Sequence, residues 1–304
     1  MPKSPKKNLV EIFGYAPDDT SQAARTLWDI GACPFIAKPC SKSNHNGSIV
    51  YGTCSVTSSY GDCIVCPNRL YENDYQSLRK VAADAFGDTL PCLSFEAYVK
   101  QRASPQKCIV VLGQNSGKEV KLGRSLSMDW ILALVDQGQL ISYVGIEAQS
   151  IDITGNYRDC WYAYKNIQLK DTVTVASEHG LNWANVHKRL IPQIIRKGLI
   201  YSRSTLVKSG LYFIVPDIVY QKFEDIIGAD IPTVNYKAAN VLTVHTYALS
   251  PAVAHGTQRQ LQMVRELRFT LDEFAERFIG GANLPTGDDL DHAVRRVLGL
   301  KLEP

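Results

Sequence analysis

Five of the eight cysteines, Cys33, Cys40, Cys54, Cys63 and Cys66, crowd into the first quarter of the chain, and nothing else in the sequence restricts folding as strongly. The basic opening Met1 to Lys7 runs into Val10-Glu11-Ile12-Phe13, too short an apolar stretch for a signal-peptide core or a membrane span. The expectation is a cytoplasmic chain with no membrane partner. In such a reducing compartment, close-set thiols are better read as metal ligands than as disulfide partners. Cys40, Cys54, Cys63 and Cys66 follow the spacing C-x13-C-x8-C-x2-C, enough for a tetrahedral shell around zinc or iron. Cys33, seven positions before Cys40, is the alternative to Cys40 as a ligand. A closed shell leaves no open position for a substrate, so the expected role is a structural staple.

Residues 41–62 are dense in Ser, Asn, Gly and Thr, which suits turns wrapped around that ion rather than a strand or helix. A helix is predicted before them, from a cap near Thr20 to a left-handed stop at Gly31. Residues 1–72 are therefore expected to form a metal-binding N-terminal region, and residues 73–304 a second domain. With 304 residues, 45% of them hydrophobic, the chain can bury a full-sized core. Its net charge of +3 neither announces nor excludes a polyanionic partner.

In the second domain, helical spacing from Asp74 to Phe86 precedes a buried strand at 108–112. Two further strand-like runs, 129–135 and 140–153, are separated by a turn containing Gly138. An apolar stripe through Trp183, Val186, Leu190 and Ile194 predicts a helix ending at Gly198 and disturbed by Pro192. Strands are expected again at 211–215 and 241–247. Two capped helices close the chain, with a capping box at Thr270 to Glu273 and a weaker one at Thr286 to Asp289. The fold class is α/β (α+β), a mixed sheet flanked by helices.

The acidic hairpin carries the chemistry. Glu147 and Gln149 alternate on one face of their strand. If the turn takes three residues, Gln137-Gly138-Gln139, then Asp136 pairs with Leu140 and Asp129 falls opposite Glu147. A two-residue turn would shift the pairing by one and send Asp129 to the other face. Converging carboxylates suit Mg²⁺ held against a phosphodiester.

Asp129 followed by Glu147-Ala148-Gln149 resembles the PD-(D/E)XK nuclease core, with Met128 where a Pro is common and Gln149 where a Lys usually stands. The acid-x-Gln variant is similar to that of the NotI/EagI-type restriction endonucleases. So are Cys33-Pro34-Phe35 with Lys38-Pro39-Cys40, residues 51–56, residues 63–70, residues 147–157 and residues 182–193. This resemblance implies a type II restriction endonuclease that binds double-stranded DNA as a homodimer and cleaves a GC-rich palindrome, leaving 5′-phosphates. It further implies Asp129 and Glu147 as Mg²⁺ ligands, Gln149 as the group that orients water or metal, iron in the four-cysteine site, and a cognate DNA methyltransferase. A different class is also compatible with the residues: a non-catalytic DNA-binding or scaffold protein stapled by its cysteine site.

Other signals carry less. Gly113 to Lys118 is one residue short of a phosphate-binding loop and ends in Glu119 instead of Ser or Thr. Glu119 remains a candidate auxiliary acid and Lys118 a candidate phosphate contact. His187 reads as a surface or packing residue. Asp152 falls on the strand face opposite Glu147 and is left out of the site.

Overall fold

The computed structural model describes residues 7–101, 106–122, 126–168, 177–281, 284 and 286–298. Near the N-terminus, β1 (Leu9–Ile12), β2 (Thr53–Ser58) and β3 (Gly61–Ile64) form an antiparallel sheet in that order. The cysteine segment thus contains a hairpin where turns alone were expected. β-Branched Thr53, Val56 and Thr57 suit the pleat, and Thr53 and Val56 are fully buried, so burial overrides the turn-forming composition. Helix α1 (Gln22–Ile30) is capped one residue later than anticipated, by Ser21, and stops at Gly31 with φ 61°.

Seven strands build the main sheet: β4 (Cys92–Ser94), β5 (Cys108–Gly113), β6 (Trp130–Asp136), β7 (Gln139–Ala148), β8 (Val207–Pro216), β9 (Val241–Leu249) and β10 (Leu261–Thr270). They lie side by side in chain order. β4/β5, β7/β8 and β8/β9 are parallel pairs, and β5/β6, β6/β7 and β9/β10 are antiparallel. The parallel pairs β7/β8 and β8/β9 need crossovers, and helices supply them.

In β8, Leu211, Phe213 and Val215 point to one face and Tyr212 and Ile214 to the other, so the strand needs cover on both sides. On the first face lie α4 (Arg158–Gln168), α5 (Ile191–Ser202), α6 (Asp217–Ile227) and α7 (Leu271–Gly280). Helix α2 (Glu72–Phe86) covers the second through Leu78, Val81 and Ala82. The fold is mixed α/β, a seven-stranded mixed sheet flanked by helices. Leu9, Ile12, Phe13 and Val56 share the core of the first face with Ile131, Trp161 and Phe213, so residues 7–72 and the sheet domain bury one continuous interior. No helix among the described residues is long and apolar enough to cross a membrane.

Several boundaries differ from the sequence expectation. The helix foreseen to end at Gly198 runs on to Ser202. Gly198 serves packing instead, since a Cβ there would lie 2.7 Å from Leu271. Pro192 does not break this helix, because it stands in the first turn, directly after a π-helical turn at Val186–Leu190. Strand β10 was not anticipated, its Leu261–Thr270 run having no clean period of two. The complete capping box is at Thr286, opening α8 (Gly287–Val297). At Thr270 the hydroxyl caps Glu273 N, while the Glu273 side chain turns to Arg277 at 2.8 Å.

Candidate active site

Register decides whether the acids meet. The β6–β7 turn is a two-residue one, Gln137-Gly138, with φ 47° and 78° and Asp136 paired to Gln139. That is the geometry foreseen to separate Asp129 from Glu147. Between Leu134 and Val135, however, the ladder slips: Val135 faces Leu140 while Leu134 faces Ser142, leaving Ile141 as a bulge. The extra residue restores the register, so Trp130 pairs with Ile146 as the last pair of the ladder, and the next residue, Asp129, reaches the end of β7, where its Oδ2 accepts from Ala148 N. The expected three-residue turn is absent, and the convergence it was invoked to explain is produced by the bulge.

Asp129 Oδ2 accepts hydrogen bonds from Gln149 Nε2 at 3.0 Å and from Ala148 N at 3.1 Å. Glu147, only 2% exposed, receives Lys197 Nζ from α5 at Oε2, while its Oε1 is buried without a hydrogen-bond partner. The structure thus brings Asp129, Glu147 and Gln149 together and adds Lys197. The signal for Lys197 was its position: with Ile191, Ile194, Gly198 and Tyr201 it continues the buried stripe of α5, where a lysine is out of place.

Burial first, and Asp129 second, push the Glu147 carboxyl up to about 8 against the pull of Lys197. A carboxyl raised in this way binds its proton more tightly when folded. Its contribution to stability is fully present below the ordinary carboxylate value of 4.5 and is lost as pH rises through about 8. Glu147→Gln cannot lose that proton. In metal-free protein, the melting temperature of the variant is therefore expected to gain on wild type between about pH 4.5 and about pH 8. A constant difference across that range would contradict the assignment.

A polar cleft of about 220 Å³ opens at Asp129, lined also by Asn68, Asn115, Glu119, Ser127 and Gln149 among others, with Glu147 buried behind it. Glu119 therefore shares a cleft with Asp129. A neighbouring cleft of about 320 Å³, also reached by Gln149, is lined by Lys42, Ser150, Asp152, Asn185 and Arg189. Asp152, set aside on strand alternation, belongs here because β7 ends at Ala148; it receives Asn185 Nδ2 at 2.8 Å. His187 is exposed on the π-helical turn and lines neither cleft. A further cavity, about 390 Å³, is walled by apolar residues such as Val110, Leu112 and Ile131 and offers little for phosphate chemistry.

The cysteines sort differently from their spacing. Cys33 and Cys54 form a small buried cluster with Phe35, against which Cys40 packs. Cys66 feels the charges of both Cys40 and Cys33, and Cys54 those of Cys66 and Cys33. Cys63 sits in the main core with Val56 and Val65, where burial first and Asp62 second raise its thiol. Burial pushes Cys66 up to about 11 and Cys63 to about 12, so both stay protonated unless a cation takes up the charge. All eight thiols are free, and among the described residues no group of three or more His, Cys, Asp or Glu side chains is gathered closely enough to hold a metal ion.

No protein-family model matches the chain, and a search of curated proteins finds no relative.

Proposed function

We propose that this chain is a Mg²⁺-dependent, site-specific DNA endonuclease of the PD-(D/E)XK type, a type II restriction enzyme. The observation that carries the reading is the meeting of Asp129 with Gln149 and the Ala148 N–H, next to the buried Glu147 carboxyl, at a polar cleft that Asp129 and Gln149 line. Asp129 and Glu147 are the residues that would hold Mg²⁺, and the unpartnered Glu147 Oε1 suits such a ligand. A two-carboxylate site is ordinary for this ion, which takes its remaining ligands from water and phosphate. When bound, the ion polarises the scissile phosphate and lowers the pKa of the attacking water.

The chain's own groups do the rest. The Gln149 amide fixes Asp129 through Nε2, and its carbonyl oxygen is available to orient the attacking water. Water oxygen attacks phosphorus in line, the P–O3′ bond breaks, O3′ takes up a proton, and a 5′-phosphate remains. Lys42, Asn185 and Arg189 in the neighbouring cleft supply donors for backbone phosphates. Bases would be read by Arg, Lys, Asn or Gln in the major groove, each bidentate pair contributing roughly 1–3 kcal/mol of discrimination. Two copies related by a two-fold axis fit a palindromic target, GC-rich on the resemblance, with a methyltransferase protecting host DNA in the cytoplasm. Incubating the protein and Mg²⁺ with long duplex DNAs of varied base composition tests this reading. Discrete fragments are expected. A smear would indicate cleavage without sequence preference, and intact DNA throughout would leave a stapled DNA-binding or scaffold protein.

We further propose that Cys33, Cys40, Cys54 and Cys66, in place of the set with Cys63, close around iron or zinc. Soft thiolate donors fit such an ion, Cys40 packs against the buried Cys33 and Cys54, and charge on Cys33 or Cys40 would be felt at Cys66. Elemental analysis of purified protein is expected to find roughly one iron or zinc per chain. Cys33→Ser should lose it and Cys63→Ala should keep it. The opposite result would restore the ligand set suggested by spacing.

A further inference from the structure

The nuclease pattern carries a lysine two residues after its strand acid, and here that position is Gln149, neutral and committed to Asp129 at 3.0 Å. The buried acid nevertheless has a cation. Lys197 is 6% exposed, and its ammonium donates to Glu147 Oε2, leaving Oε1 free of hydrogen bonds. Burying an ammonium beside a carboxyl costs desolvation that their attraction barely offsets, so stability alone is a poor reason to place a lysine in the apolar stripe of α5.

The surroundings fix this lysine. Helix α5 follows directly on the π-helical turn at Val186–Leu190, a feature frequent at functional sites. One turn beyond Lys197, Tyr201 lies flat against the backbone of Gly145, where any Cβ would stand 2.0 Å from its ring. Only glycine lets the helix approach β7 so closely, two residues before Glu147.

We propose that Lys197 is the positioning cation of the site: it holds Glu147 by one oxygen and supplies from α5 the positive charge that the strand motif lacks at Gln149. This rests on the nuclease reading above. The test compares wild type with Lys197→Met, Lys197→Arg and the double variant Gln149→Lys/Lys197→Met. Cleavage is measured in single turnover while Mg²⁺ is raised to saturation, alongside the melting temperature of each metal-free protein.

Lys197→Met is expected to cleave roughly 100-fold more slowly than wild type at every Mg²⁺ concentration. Lys197→Arg should retain most activity. Returning a charge at position 149 should recover about tenfold or more over Lys197→Met and raise the metal-free melting temperature above it. A wild-type rate for Lys197→Met would overturn the proposal, as would a loss that saturating Mg²⁺ fully repairs. Failure of both charged variants to recover activity would reduce Lys197 to packing. Intact DNA with wild type would instead reject the nuclease reading, and this proposal with it.

Discussion

Glu147→Gln is expected to slow DNA cleavage by roughly a thousandfold in single turnover, the scale of losing one preorganised electrostatic group at a reacting centre. The substitution keeps the shape of the side chain, and its carbonyl can still accept from Lys197, so the fold should survive. Glu147→Ala is the poorer test. It leaves the Lys197 ammonium buried and unpaired, which costs about 3–5 kcal/mol of stability and confuses lost chemistry with lost folding. Asp129→Asn should act in the same direction and also weaken the hold on Gln149, whose amide donates to Oδ2. A variant that kept more than about a tenth of the wild-type rate would show that Glu147 is not a ligand of the reacting centre.

Arg69→Met is expected to destabilise the protein by about 3–5 kcal/mol, lowering the melting temperature by roughly 10 °C in a chain of this size. The guanidinium is completely buried. Its Nε meets Glu11 Oε2 at 3.1 Å, its Nη1 meets Glu72, and its Nη2 donates to the Arg259 carbonyl at 2.6 Å. It also stacks over the Phe35 ring at 4.6 Å, beside the cysteine cluster. One side chain thus ties β1, the start of α2 and the approach to β10 together. Methionine fills similar space but leaves Glu11 and Glu72 buried without their cation, and those unpaired carboxylates dominate the loss. Denaturant unfolding that changed by less than about 1 kcal/mol would refute this account of the network.

Much of this was legible in the sequence because local chemistry decides it. Gly31 and Gly87 stop helices, and β-branched runs become strands. What could not be read depends on distant partners. The bulge at Ile141 has no local signature, since it is set by pairing with Leu134 and Val135, yet it decides whether Asp129 meets Glu147. Ligand spacing favoured Cys63 because of its C-x2-C partner, but β3 sends that thiol into the core beside Val56. Lys197 stands directly before Gly198, and only the continuation of α5 past that glycine shows it to be part of the buried stripe. Burial of Thr53 and Val56 likewise made a hairpin from residues whose composition favours turns.

The most direct measurement is a side-by-side digestion of long duplex DNA with Mg²⁺ by wild type and Glu147→Gln, with equal folding of both established by circular dichroism. Discrete fragments from wild type, with uncut DNA still bound by the variant, is the predicted result. Equal cleavage by both proteins would contradict the assigned site, and no cleavage by either would contradict the nuclease itself.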